Sequence, residues 1–145
     1  MSAQSESTTS AQSGPRIGRS VLAVFLGMLA GAALSLGTDQ VLHVLDVYPP
    51  WGQPMRDPRL NLLALSYRCV YDIAGCYIIA KLAPKNPMRH ALIGGSVGFV
   101  LSMGGVVAGT MADLGPLWYP VLLALTTLPC AWIAGVLHRK WERAV

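Results

Sequence analysis

The chain has 145 residues, 53% of them hydrophobic and only 12% charged, with a net charge of +4 and a mean hydropathy of +0.48. Soluble domains carry about 25% charged residues, so this composition excludes an ordinary soluble globule and points to the membrane class. The basic residues stand at the ends of apolar runs with no interleaved aromatic patch, which argues against nucleic acid as a partner.

Residues 1–15, MSAQSESTTSAQSGP, contain no Leu, Ile, Val or aromatic residue. Such a stretch cannot bury a core, and a disordered tail is expected. Arg16 and Arg19 then precede a long apolar run. A signal peptide would share that basic flank and apolar core. Apolar character resumes beyond Asp39 as VLHVLDV, however, so the expectation is an uncleaved first span over residues 17–44. Its period-four row is Gly27, Gly31, Ser35, Asp39 and His43. The two glycines let another helix backbone approach closely, and the same face delivers Asp39 and His43 inward.

Residues 46–59, DVYPPWGQPMRDPR, hold four prolines, which exclude a regular helix. Tyr48 and Trp51 suit the interfacial belt. Gln53 is a candidate to dip from this loop towards the polar residues of the bundle. The second span is expected over residues 60–82, LNLLALSYRCVYDIAGCYIIAKL. It carries Arg68 and Asp72 well inside its ends. Each ionised group costs ~2.5–3.5 kcal/mol at mid-membrane, and each Leu, Ile or Val returns ~0.3–0.6 kcal/mol. With nine such apolar residues the sum is close to zero, so the helix needs help. Arg68 and Asp72 are four apart and share a face, where they are expected to neutralise each other, with Asp39 as a second acid. Tyr67 and Tyr71 add hydroxyl groups beside them. The row Ala64, Arg68, Asp72, Cys76 and Ala80 should point into a bundle.

A short turn through Ala83-Pro84 and Asn86-Pro87 makes the second and third spans antiparallel neighbours, with Asn86 as a cap. The third span is expected over residues 88–111 and is rich in glycine. Gly94 and Gly98 form one packing ridge, and Gly105 and Gly109 a second. After the turn ADLGP, the fourth span is expected over residues 117–137. Pro129 should kink it and strand the carbonyl of Leu125, with Thr126 and Thr127 placed to satisfy the local backbone. Cys69, Cys76 and Cys130 form no CxxC and read as small buried hydrophobes.

The expected fold is all-α: a four-helix transmembrane bundle behind a disordered tail. Lys and Arg number eight on the side of the two termini and the second turn, and two in the other loops. The positive-inside rule then puts both termini in the cytoplasm and Asp39, His43, Arg68 and Asp72 in the outward half.

Several phrases carry a resemblance: PPWGQPM at residues 49–55, SYRCVYDIAGCYIIAKLAP at 66–84, PMRHALIGG at 87–95, LGPLWYP at 114–120 and PCAWIAG at 129–135. In these the chain resembles a family of small bacterial integral membrane proteins with four spans and no assigned function. The resemblance implies a four-span bacterial protein and brings no site residues with it.

Three functional readings follow. The first is a non-enzymatic accessory or structural subunit in which Arg68, Asp72 and Asp39 clamp the helices. Its partners would be membrane lipid and another membrane protein or a second copy of itself. The second is a transporter or channel subunit that binds a proton, ion or small polar solute in the outer half. The third is an enzyme, with Asp39, His43 and Asp72 as metal ligands. No HExxH, nucleophile with base or cysteine pair supports it, so neither a catalytic residue, a metal nor a cofactor is assigned.

Overall fold

The computed structural model describes residues 14–144, and the expected tail falls outside them except for its last two residues. Four helices follow in order: α1 Gly14–Val44, α2 Pro58–Leu82, α3 Pro87–Met111 and α4 Trp118–Ala144. No strand occurs among the described residues. All four helices are long and apolar enough to cross a membrane. At ~1.5 Å per residue the shortest, of 25 residues, measures ~38 Å, more than the ~30 Å of a bilayer's hydrocarbon.

The ends follow local chemistry. Asp57 starts α2: its carboxylate accepts from the backbone N–H of Arg59 at 2.8 Å, with Pro58 in the first turn. Asn86 precedes α3 as expected, but it sits at φ 50° and its side chain caps nothing; its carbonyl accepts from Arg89 and His90 instead. Helix α1 begins at Gly14, so Gly14 and Pro15 belong to it and not to a tail. Helix α4 runs past residue 137, because His138 is buried and the following polar residues continue the helix into its last turns. It is unbroken at Pro129. The Thr126 and Thr127 hydroxyls both donate to the Leu123 carbonyl, at 2.9 and 3.1 Å, rather than to that of Leu125.

Helix α2 is the hub. It packs on α1, α3 and α4, and α3 packs extensively on α4, whereas α1 and α4 do not meet among the described residues. The core consists of small side chains: Ala23, Ala64, Ala80, Ala91, Ala124, Ala131 and Ala134 are buried, while Phe25, Leu29, Val100, Leu125 and Trp132 are exposed. This arrangement is the reverse of a soluble core. Lipid tails are as apolar as leucine, so large residues gain nothing by going inside, and small ones let backbones close up. Four apolar helices with this inverted core make a multi-pass membrane protein.

Glycines decide where the helices touch. Gly27 and Gly31 of α1 face Gly75, Tyr71 and Ile79 of α2, and a Cβ on Gly75 would stand 2.8 Å from the Gly27 carbonyl oxygen. Gly94 receives the Ile79 side chain, Gly95 abuts Ala131, and Gly98 faces Thr127. Gly75 and Gly95 were not among the glycines expected to pack. Gly105 and Gly109 were, and they correct the reading: a Cβ on either meets nothing within 4 Å. The neighbouring helices stand off from them.

Two pairs of elements close the ends. At one end the 45–57 and 112–117 connections meet. At the other, His90 Nε2 lies 2.9 Å from Ser20 Oγ, joining α3 to α1 beside the α2–α3 turn. The first is called the mouth end below, and the second the terminal end.

The glycine contacts predict a clear contrast. Gly75→Ala should lower stability by about 1–3 kcal/mol, because backbone faces backbone there. Gly105→Ala should stay within about 0.5 kcal/mol of the parent. Thermal melts of the detergent-solubilised protein check both.

Candidate functional site

Two charged groups deep in the described helices, Asp39 and Arg68, meet where the last turns of α1 pass the middle of α2. Asp39 has 5% of its side chain exposed and is the best-buried acid among the described residues. Its carboxylate accepts from two neighbours on α2, the Tyr67 hydroxyl and one terminal nitrogen of Arg68. The Tyr67 hydroxyl lies 3.2 Å from that of Tyr48, which is itself buried although it belongs to the 45–57 loop. One residue before Asp39, Thr38 Oγ1 lies 2.9 Å from the Tyr71 hydroxyl. Two residues of α1 and three of α2 are thus tied together, with a loop tyrosine as the lid.

Of the two acids expected to hold Arg68, only one does. Arg68 pairs with Asp39, and no ion pair joins it to Asp72. The reason is the direction of side chains on a helix. Cα–Cβ bonds tilt towards the helix N-terminus, which for α2 is the mouth end. The long arginine stem therefore carries its guanidinium away from Asp72 and towards Asp39. Asp72 stays a turn deeper and lines a separate cavity of about 190 Å³ between α1, α2, α3 and Thr127 of α4, beside Gly31, Ser35 and Gly75.

His43 and Gln53 also take other places. His43 Nδ1 lies 2.7 Å from the Asp39 carbonyl, which can only accept, so Nδ1 carries the proton. Its ring stacks on Trp51 at 4.0 Å between centroids and meets Tyr48 edge-on at 5.4 Å. Trp51 in turn donates to Gln40 at 3.3 Å. His43 thus anchors an aromatic cap over the cluster rather than joining the acids. Gln53 is exposed and does not reach the cluster; its backbone N–H closes a turn onto the Pro50 carbonyl at 3.0 Å. Tyr48 fills the role expected of Gln53. Burial holds its hydroxyl above the usual phenol range, so it remains a neutral donor.

No three His, Cys, Asp or Glu side chains come together as a metal site among the described residues. The cysteines are free, with Cys76 and Cys130 buried and Cys69 half-buried. Cys76 packs with Ala80, Ala91, Ala131 and Ala134.

The far side of Arg68 looks onto a larger space. A cavity of about 500 Å³ lies between the mouth-end halves of α3 and α4, with Arg68 and Asn61 of α2 at its back. Gly105 and Gly109 form part of its wall, which explains why they touch no helix. Asn61 is buried and donates from Nδ2 to the carbonyls of Met55 and Asp57, each at 3.0 Å, which fixes the loop above the cavity.

Compared with family models, curated proteins and solved structures, the chain matches none. The resemblance to small bacterial four-span proteins therefore rests on the quoted phrases alone.

The two aspartates should behave differently. Asp39→Asn leaves the guanidinium without its counter-charge and should cost about 3 kcal/mol, the lower end of the range for a broken buried pair. Arg68 keeps 30% of its side chain exposed, which places it at that end. Asp72→Asn should change stability by less than about 0.5 kcal/mol. Equal losses in melts of the two variants would mean that Arg68 is shared between both acids.

Proposed function

We propose that this chain is a non-enzymatic accessory or structural subunit of a bacterial inner membrane, with both termini in the cytoplasm. The observation that carries the reading is the Asp39–Arg68 pair with its tyrosine partners, spent on joining α1 to α2. Each known contact of Asp39 is a contact that holds the fold. The excess of Lys and Arg at the terminal end, eight against two, supports the orientation. The exposed apolar flanks suit lipid and leave room for another membrane protein or a second copy as partner.

A second reading, a subunit of a transporter or channel, is favoured by Asp72. It lines a cavity among the helices and has no ion-pair partner, so a proton or small cation would complete it. On that reading Asp72→Asn accumulates normally and abolishes proton or cation flux in proteoliposomes.

The clamp reading is tested at Arg68. Arg68→Ala strands the Asp39 carboxylate and should destabilise by about 3–5 kcal/mol, which lowers the steady-state amount in the membrane several-fold. Normal accumulation with loss of a growth or transport phenotype would overturn it. A fluorescent protein fused at the carboxy end should glow, and a periplasmic phosphatase fused there should be inactive. The opposite pattern would reverse the orientation.

A further inference from the structure

We propose that the cavity between α3 and α4 binds a neutral, lipid-soluble molecule that carries a carbonyl or ester oxygen. Its size, about 500 Å³, lies within the ~300–1,000 Å³ range of small-molecule sites. Three features of its wall set the chemistry.

The first is hydrogen bonding. Arg68, Tyr119 and Ser102 all contribute to the wall, and all carry donors. Arg68 gives one terminal nitrogen to Asp39, and the residue also lines the cavity. A guanidinium has five N–H donors, so the group is under-used. Hydrocarbon has no acceptor to offer, and an unmet donor in that setting is costly. A ligand oxygen meets the need.

The second is charge. Asp39 already balances Arg68. A bound anion would add an uncompensated charge to a matched pair in a low dielectric. The cavity therefore asks for an acceptor without a charge.

The third is access. At the mouth end the two loops close over the cavity. The Met55 N–H donates to the Leu114 carbonyl at 2.9 Å, and Arg56 pairs with Asp113 at 2.7 Å. The Met55 carbonyl leaves no room for a Cβ on Gly115. The lining also carries Leu101 and Leu117, large apolar side chains that are 63% and 55% exposed. A wall of this apolar, partly exposed kind suits a molecule dissolved in lipid better than a solute in water.

A second copy of the chain fits less well. A helix laid on Gly105 and Gly109 would present side chains to Arg68 while its own carbonyls are engaged within the helix. It would cover the donors without satisfying them.

The test uses the full chain in non-ionic detergent and three probes of one chain length: monoolein as neutral ester, oleate as anion and octadecane without oxygen. Native mass spectrometry counts the molecules retained. One monoolein per chain is expected, with the other two held about tenfold more weakly, the worth of one hydrogen bond to a charged group. Gly105→Leu and Gly109→Leu fill the space where a Cβ meets nothing, so each should keep the parent melting temperature and lose monoolein about tenfold. Neither touches Asp39 or Arg68, so this result is read apart from the clamp. Octadecane or oleate held as tightly as monoolein would overturn the proposal. So would failure to retain any probe, or a parental dimer that Gly105→Leu converts to monomers.

Discussion

A carboxylate and a guanidinium enclosed in a four-helix bundle fix how this protein is put together. Asp39 and Arg68 sit on different helices, so neither is matched until α1 lies against α2 in one register. That register runs through the whole interface. Thr38 meets Tyr71, Asp39 meets Arg68, and further towards the terminal end Gly31 and Gly27 meet Tyr71, Gly75 and Ile79. Each step back along α1 is a step forward along α2. A slip by one residue would turn Asp39 off the face that meets Arg68 and bring side chains where the glycines now allow backbone contact. The electrostatic term is steep, the packing term is shallow, and they agree.

Such agreement matters because the core has little else to specify it. Alanines and glycines fill it, and they pack in many ways at similar energy. In water, burial of large side chains would select one arrangement; in lipid that selection is missing. Ile79 is the exception that orders the terminal half: fully buried, it fills the spaces left by Gly27 and Gly94 and so joins three helices. In the mouth-end half the polar network takes over that duty. The molecule is therefore held by a steric key at one end and an ionic one at the other.

The helices, their number and the polar residues were legible in the sequence, because apolar runs of membrane length and charges within them are strong signals. The pairing inside the cluster was not. Arg68 and Asp72 stand at the spacing of a helical ion pair, yet spacing ignores the direction and length of the arginine stem. Tyr48 and Gln53 lie in the same proline-rich loop, and composition cannot say which of them turns inward. The glycine ridges show the same limit. Gly27–Gly31 and Gly105–Gly109 are identical as motifs, and only the first has another helix in contact with it. A small-residue ridge declares one surface fit for close approach; the partner is decided by the rest of the fold. Gly75 was invisible for the complementary reason: it serves as the other half of a contact and belongs to no ridge of its own.

Arg68 ties these strands together, since it has two neighbours of opposite character. On one side stands Asp39 and the α1 interface; on the other, an apolar cavity with glycine walls. The ion pair explains how the arginine is tolerated, but it does not use all of its donors, and the same helix places Asn61 to hold the loop that closes the cavity. Removing the guanidinium would thus disturb the clamp and the cavity at once, and no phenotype of an Arg68 variant alone could divide the two. The glycines can, because they shape the cavity and bear no load in the fold. Arg68 and the two glycines line the same cavity, but only Arg68 also joins two helices, and that division lets structure and function be examined independently in so small a chain.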